Sequence, residues 1–555
     1  MKKTRKILAL LLICLMMASL AACGGDTKNS SGNTTGGTST GGTSDNNAGG
    51  SGNTDSGGGT TTNDAGTSPD SGNSGGSTAT ASDRTFNIAV NSDPGTLHPL
   101  GVSGGFVSVM YSFYEPLLDT WPDGTRRWIL STGIEPISDI QYTLHLREGV
   151  TFSNGNPFTA EDVIFSMELC RDNPQFSLNV KVIDFDKTNI IDDYTIDMWY
   201  TEFNASQEVG MMQLYMLDKE SYDEMAIASR PIGTGAYMVE DYVVNSHLTL
   251  KAREDYWGGA PAIKSVTYKS ISEPSQIVNA LETGDIDYAA ISITDVNYVE
   301  GLGYNVRVVN SGYPYVAMYS LDPSSPIAAK EARWAVSMAI DRQAINNILC
   351  NGLSTVVNWP GSNGMTDYEP RFENLNEIYS VGYNPDRARE LAEQSGIVGK
   401  TLRIITNGSQ AYNDVAEIMQ ANLIDIGVDA QIVNYEQATY FGAMMDATAF
   451  EIAIFTPAAP SALGADVFAM YPTFISHGWS GSDRDRFMTA AMGALTSADP
   501  QKASDLLYEA MKLHSEFVPW YGICEVVGAS ATSPDLQGMK NMLGGNFYIY
   551  DMSWK

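Results

Sequence analysis

Histidine, cysteine and positive charge are all scarce in this chain of 555 residues, and each shortage removes a class of function. The five histidines show no pairing at metal-ligand spacing, so no metal site is expected and a nickel-type ligand is disfavoured. Of the five cysteines, Cys14 and Cys23 lie near the start, which leaves Cys170, Cys350 and Cys524 for a fold. An odd number cannot all pair, and their spacing makes neither a CxxC redox pair nor a zinc ribbon. Buried free thiols with no required disulfide are expected. Lys and Arg number 33 against 65 Asp and Glu, a formal charge of −32. Such an excess repels nucleic acid and anionic surfaces and argues against a polyanionic ligand. No HExxH, Walker A or dinucleotide fingerprint occurs, and no cofactor is expected.

What is present begins with Lys2, Lys3, Arg5 and Lys6, an uncharged apolar stretch from Ile7 to Leu20, and then Leu20-Ala21-Ala22-Cys23. The stretch is short for a permanent membrane span, and small residues precede a cleavage point, so residues 1–22 read as a signal peptide. The four residues resemble the lipobox of bacterial lipoproteins, with Cys23 as the lipidated residue; the alternative is a cysteine that merely falls near an ordinary cleavage site. A thioether-linked diacylglycerol plus an amide-linked chain, such as palmitate, would supply the two signals that stable anchoring needs. From Gly24 to Ser82 the chain is almost wholly Gly, Ser, Thr, Asn and Asp, with nothing to seed a core. Residues 23–82 are therefore expected to be a lipid-bearing tether, with an r.m.s. reach of ~40–45 Å.

The rest, about 83–555, is long enough for two or three lobes. Arg84 to Val90 alternates polar with apolar and predicts a strand, as does Tyr142 to Leu146, where His145 falls on a polar beat. Thr159 and Asp162 approximate a capping box. Pro274 opens a helix that Gly284 closes before a strand at Asp285–Tyr288, and Asn384, Pro385 and Gly396 delimit another helix. The spacing of Trp334, Ala335, Met338, Ala339 and Ile345 predicts one helical stretch from Ala328 to Leu349. Thr401–Thr406, a helix around Ala416–Ile426, and Ala430–Val433 read as a βαβ unit, so α/β lobes are expected.

Four passages resemble the family 5 extracellular solute-binding proteins of ABC importers, the group with oligopeptide-, dipeptide- and nickel-binding members. They are Tyr142 to Val150 with Phe158 to Val163; Pro231-Ile232-Gly233-Thr234-Gly235-Ala236-Tyr237 through Asp255-Tyr256-Trp257-Gly258-Gly259; Leu281 to Asp287; and Arg333 to Arg342. Order and spacing agree from about residue 84 to 550. The resemblance implies a two-lobed periplasmic-binding-protein-like fold of type II, in the large cluster with an extra subdomain, whose lobes are joined by two hinge strands. The crossings are expected near Asn310–Ser320 and Val518–Ser530, giving a discontinuous first lobe, 84–311 plus 527–555, and a second lobe, 312–526. It also implies a binding protein that captures an oligopeptide and delivers it to an ABC permease and its ATPase; the lipid anchor would hold it at the outer face of the cell membrane, and a monomer is expected because no heptads or obvious exposed apolar stripe occur.

In peptide-binding relatives an aspartate of the second lobe anchors the ligand ammonium, and Asp466 is the one candidate here, against a solvated or turn-capping role. No arginine occurs between Arg403 and Arg484, so a carboxylate partner is not evident. Tyr111, Trp359, Trp520 and Tyr521 fall where relatives line the cleft and are nominated as ligand-lining, the alternative for each being the core. An oligosaccharide, a nickel complex or a purely sensory role stays open. Gly101-Val102-Ser103-Gly104-Gly105 fits G-x-S-x-G, the mark of a hydrolase. It follows a loop rather than a strand, and His477 and His514 alone come late enough to complete a triad, with His514 expected on a helix surface, so no enzyme is expected.

Overall fold

The computed structural model describes residues from Arg84 onward, apart from 102–106, 122–124, 174–175, 208–213, 358–360, 362–363, 376–381, 458–462, 475–477 and 543–545. The expectations for the signal, the tether, Cys23, Ser103, Trp359 and His477 lie outside the described residues. Ten strands form one sheet: β1 (Phe86–Val90), β2 (Tyr237–Val243), β3 (His247–Ala252), β4 (Ser265–Ser270), β5 (Tyr288–Ile291), β6 (Asn305–Tyr319), β7 (Thr401–Thr406), β8 (Asp429–Asn434), β9 (Ile452–Phe455) and β10 (Trp520–Thr532). Their order is β8-β7-β9-β6-β10-β5-β1-β4-β3-β2. β1 runs parallel to β4 and β5, and β7 runs parallel to β8 and β9, as crossover connections require. Nine helices are used below: α1 (Ala160–Asp172), α2 (Pro274–Thr283), α3 (Lys330–Ala339), α4 (Arg342–Leu349), α5 (Pro385–Ser395), α6 (Gln410–Asp425), α7 (Gly464–Phe474), α8 (Ser482–Leu495) and α9 (Pro500–Phe517).

β6 and β10 are the two longest strands described, with 15 and 13 residues, and each serves two neighbourhoods. Asn305–Asn310 pairs with Val527–Thr532, next to β5, whereas Val316–Met318 pairs with Trp520–Gly522, next to β9. Between these stretches the register shifts on both sides of Pro314, which has no N–H to give the ladder. The outer edge of β10 is covered there by the segment after α4: Glu525 N–H donates to Thr355 O at 3.0 Å and Val357 N–H to Ile523 O at 3.3 Å.

The buried side chains divide along the same line. One apolar cluster takes every buried member from Tyr315 to Cys524, while the three others take theirs from before residue 300 and after residue 528. One of those three fills a separate four-stranded antiparallel sheet, Ser131–Ser138, Gln141–Leu146, Thr195–Trp199 and Asn189–Asp192, backed by α1. The two ends of the described chain meet: Arg84 lies 3.9 Å over the ring of Trp554, next to the last residue, its carbonyl accepts the Trp554 indole N–H at 3.1 Å, and Phe86 packs edge-on against that ring.

Local signals act as expected at several ends. Thr159 and Asp162 form a capping box, and Asn384 caps α5, which Gly396 ends at φ 74°. The βαβ unit β7-α6-β8 forms, although α6 starts at Gln410, six residues before the expected Ala416. Three expectations fail. The stretch 328–349 is two helices, because Asp341 caps the second through Ala344 N–H and Ile340 is extended. The strand after Gly284 starts at Tyr288, because Asp285 to Asp287 form the connector into it. His514, expected at the surface, is buried between Phe468 and Trp520.

Candidate functional site

Each family-like passage places a charged or aromatic side chain on the backbone of a distant segment. The Arg253 guanidinium, 2 % exposed, donates to the carbonyls of Thr151, Phe152, Thr234 and Gly235 at 3.1–3.3 Å and pairs with Asp255 at 3.2 Å. Gly233 and Gly235 press on the Phe113 backbone, where an added Cβ would stand 2.0 Å from its oxygen or 2.6 Å from its Cα. Tyr256 and the Trp257 indole donate to the buried Glu115 carboxylate at 2.5 and 2.9 Å. Burial pushes the Glu115 carboxyl up, and these two donors pull it part of the way back. Asp287 accepts from Arg84 at 2.6 Å and from Asn87 N–H at 2.9 Å, which fastens β1 to the entry of β5.

The last passage holds the crossing. Arg333 donates to the carbonyls of Phe517, Ile327 and Ala328, and the Trp334 indole to that of Glu516, so α3 grips the end of α9 just before β10. Among the described residues the Arg333 hydrogen-bond partners are carbonyls, and burial lowers its pKa to about 10. Arg342 donates to Val357 O and, at 3.3 Å, to Gly522 O, with its guanidinium 4.9 Å over the Tyr521 ring. These charges are consumed by backbone, not aimed at a reacting atom. The arrangement stiffens the start of β10, next to the stretch where its register with β6 is irregular. A backbone bond from Ala205 N–H to Leu495 O, 2.8 Å, joins the end of α8 to the far side of the crossing.

The nominated residues fall in two places. Trp520 stacks on Phe468 and Tyr521 lies under Arg342, both in the 315–524 cluster, and Asp466 is in the first turn of α7, between the cluster members Ala465 and Val467. Tyr111 stacks face to face on Tyr548, with ring centroids 4.4 Å apart, in the cluster of the four-stranded sheet. Asp466 is buried at 3 % exposure, not solvated. Beside it, Asp367 accepts from Gly464 N–H at 2.7 Å and Ala465 N–H at 2.9 Å, capping α7 across the fold. Burial pushes the Asp367 carboxyl up, and the Asp466 charge pushes it further. Sequence reasoning missed Asp367, a cap remote in sequence, and Glu525, a buried acid on β10. A single charge within Trp520–Thr532 was the signal for Glu525.

The sequence profile of the bacterial extracellular solute-binding proteins, family 5, middle region, matches residues 135–481. The chain belongs to family 5 of the bacterial extracellular solute-binding proteins. This solute-binding protein is 26% identical over 371 residues to a nickel-binding periplasmic protein of Escherichia coli K12, covering 60% of this chain and 68% of that one. It is 24% identical over 496 residues to the glutathione-binding protein GsiB of Salmonella paratyphi A, covering 84% and 94%. The oligopeptide-binding protein AppA of Bacillus subtilis, solved with a nonapeptide, shares the two-lobed fold at a TM-score of 0.68 and 17% identity, covering 85% of this chain and 99% of that one. The family 5 member is thus a solute-binding component of an ABC transporter and not an enzyme, and its relatives work in the periplasm or outside the cell.

Proposed function

We propose that this solute-binding protein is an importer's lipid-anchored oligopeptide receptor, which closes two lobes on the peptide and presents it to the permease. The observation that carries the reading is the crossing: two long strands that each belong to two packed clusters, irregular at Pro314, are the hinge such closure needs. The proposed lobes are 84–311 plus 527–555, and 312–526; the division of the buried clusters supports these limits. Cys23 is the proposed lipid site and 23–82 the tether, on the strength of the lipobox-like residues and the composition. A monomer suffices for this work.

Asp466 is the proposed anchor for the ligand ammonium, supported by its neighbour Asp367, since two carboxylates at one place attract a cation. Tyr521 and Trp520 would shape the second-lobe wall, with Trp359 and, from the first lobe, Tyr111. A peptide held by its backbone also fits the lack of arginine between Arg403 and Arg484. The test is a thermal-shift screen against peptide pools graded by length, sugars and Ni²⁺, because a ligand of the folded state raises the midpoint, by about 2.7 kcal/mol of stability at a hundred times its Kd. Shifts with one peptide length class, lost in Asp466→Ala, support the reading. Shifts with sugars or Ni²⁺ alone overturn the peptide assignment.

A further inference from the structure

Two of the three buried cysteines are neighbours although 174 positions separate them in sequence. Cys350 ends α4, and its thiol donates to the carbonyl of Glu525, the residue after Cys524 on β10, at 4.0 Å. The backbone holds them there. Val356 bridges to Cys524, Glu525 N–H and Val357 N–H close the ladder on either side, and the Ser354 hydroxyl donates to Glu525 O at 2.5 Å. The Asn346 amide, one turn before Cys350, donates to Ser354 O at 2.8 Å, fixing the loop to the helix end. Cys524 lies in the stretch where the β6–β10 register shifts. Cys170 sits in a different cluster and donates to Phe176 O, which leaves 350 and 524 as the pair.

We infer that Cys350 and Cys524 form a disulfide that staples the end of α4 to the returning hinge strand once the chain meets an oxidising compartment. The inference rests on the chain being exported, because cytosolic thiol buffers keep such pairs reduced. The co-reactant is a disulfide-bearing oxidant, protein or small molecule. The Cys350 thiolate attacks one oxidant sulfur, forming a mixed disulfide and expelling the other sulfur as a thiolate, which takes up a proton. The Cys524 thiolate then attacks the Cys350 sulfur, the internal bond forms, and the second oxidant sulfur leaves as a thiol. Two electrons and two protons pass from the cysteines to the oxidant. The neighbouring Cys524 thiol draws the Cys350 pKa down while its own rises, which favours this order. Both thiols are buried, so the exchange belongs to folding or to transient opening.

The test refolds the full chain with oxidised and reduced glutathione, blocks remaining thiols with N-ethylmaleimide in denaturant, and maps peptides by mass spectrometry. A linked Cys350–Cys524 peptide as the main species, with Cys170 carrying the label, is expected. Cys350 and Cys524 each carrying label or glutathione overturns the inference. Wild type should also lose about 3–6 °C of melting midpoint on adding a reductant, given the long loop the bond closes, while Cys350→Ser and Cys524→Ser melt alike in both states. A midpoint indifferent to reductant in a linked wild type would overturn the stapling role. If the chain were not exported, the refolding result would stand and protein taken directly from cells would carry both thiols reduced, so the two failures are distinguishable.

Discussion

Arg253 and Arg333 are buried in opposite halves of the molecule and perform one task in two ways. Each gathers carbonyls from segments that secondary structure leaves without partners, and each thereby fixes a turn of chain that no strand or helix could fix. Arg253 works where two glycines lie on the Phe113 backbone, and it keeps a counter-ion, Asp255, at the surface. Arg333 is held by carbonyl dipoles, and burial accordingly costs it protonation, although a pKa of about 10 keeps it charged at neutral pH. Around Arg253 close backbone contact leaves no room for an added atom, whereas Arg333 is held by polar contacts to carbonyls.

The largest effect expected is from Gly235→Ala. Its Cβ would have to displace the Phe113 backbone, so a loss of about 4 kcal/mol or more, read as loss of soluble folded protein or of the main calorimetric transition, should follow. Arg253→Met should cost about 3–5 kcal/mol and Arg333→Met about 2–3 kcal/mol, because the first orphans more carbonyls. Equal losses in denaturant titrations would erase the comparison. Trp334→Phe removes one indole bond to Glu516 O and should cost about 1 kcal/mol. Asp255→Asn should matter least, at no more than about 1 kcal/mol, since that carboxylate is exposed. Arg253 holds the Asp255 pKa below its ordinary 3.8, so the contribution is complete above that pH and fades as the pH falls through the folded pKa. Wild type and variant should therefore differ at pH 7 and converge once the pH has fallen through the folded pKa.

Helix ends were legible because their determinants are local: Thr159 with Asp162, and Asn384 with Gly396, act within one turn. The family passages disclosed the fold because they are the clamps themselves. Distance in sequence hid the rest. Nothing near Asp367 announces that it caps α7, and the apolar spacing through Ile340 concealed a break that a single cap at Asp341 imposes. His514 read as a surface residue by type, and the packing of Phe468 and Trp520 around it overrode that reading. The ligand wall was the least legible part, since aromatic residues have the same composition whether they face a cleft or a core.

The clasp of Arg84 by Trp554 has a mechanical consequence. A pull on the chain at residue 84 enters β1, which lies between two parallel partners and must be sheared rather than peeled. Because the chain leaves by β6 and returns beside it by β10, everything from Tyr315 to Cys524 hangs outside that path of tension. A protein moored at its front end can thus bear drag on one half while the other half stays slack enough to swing.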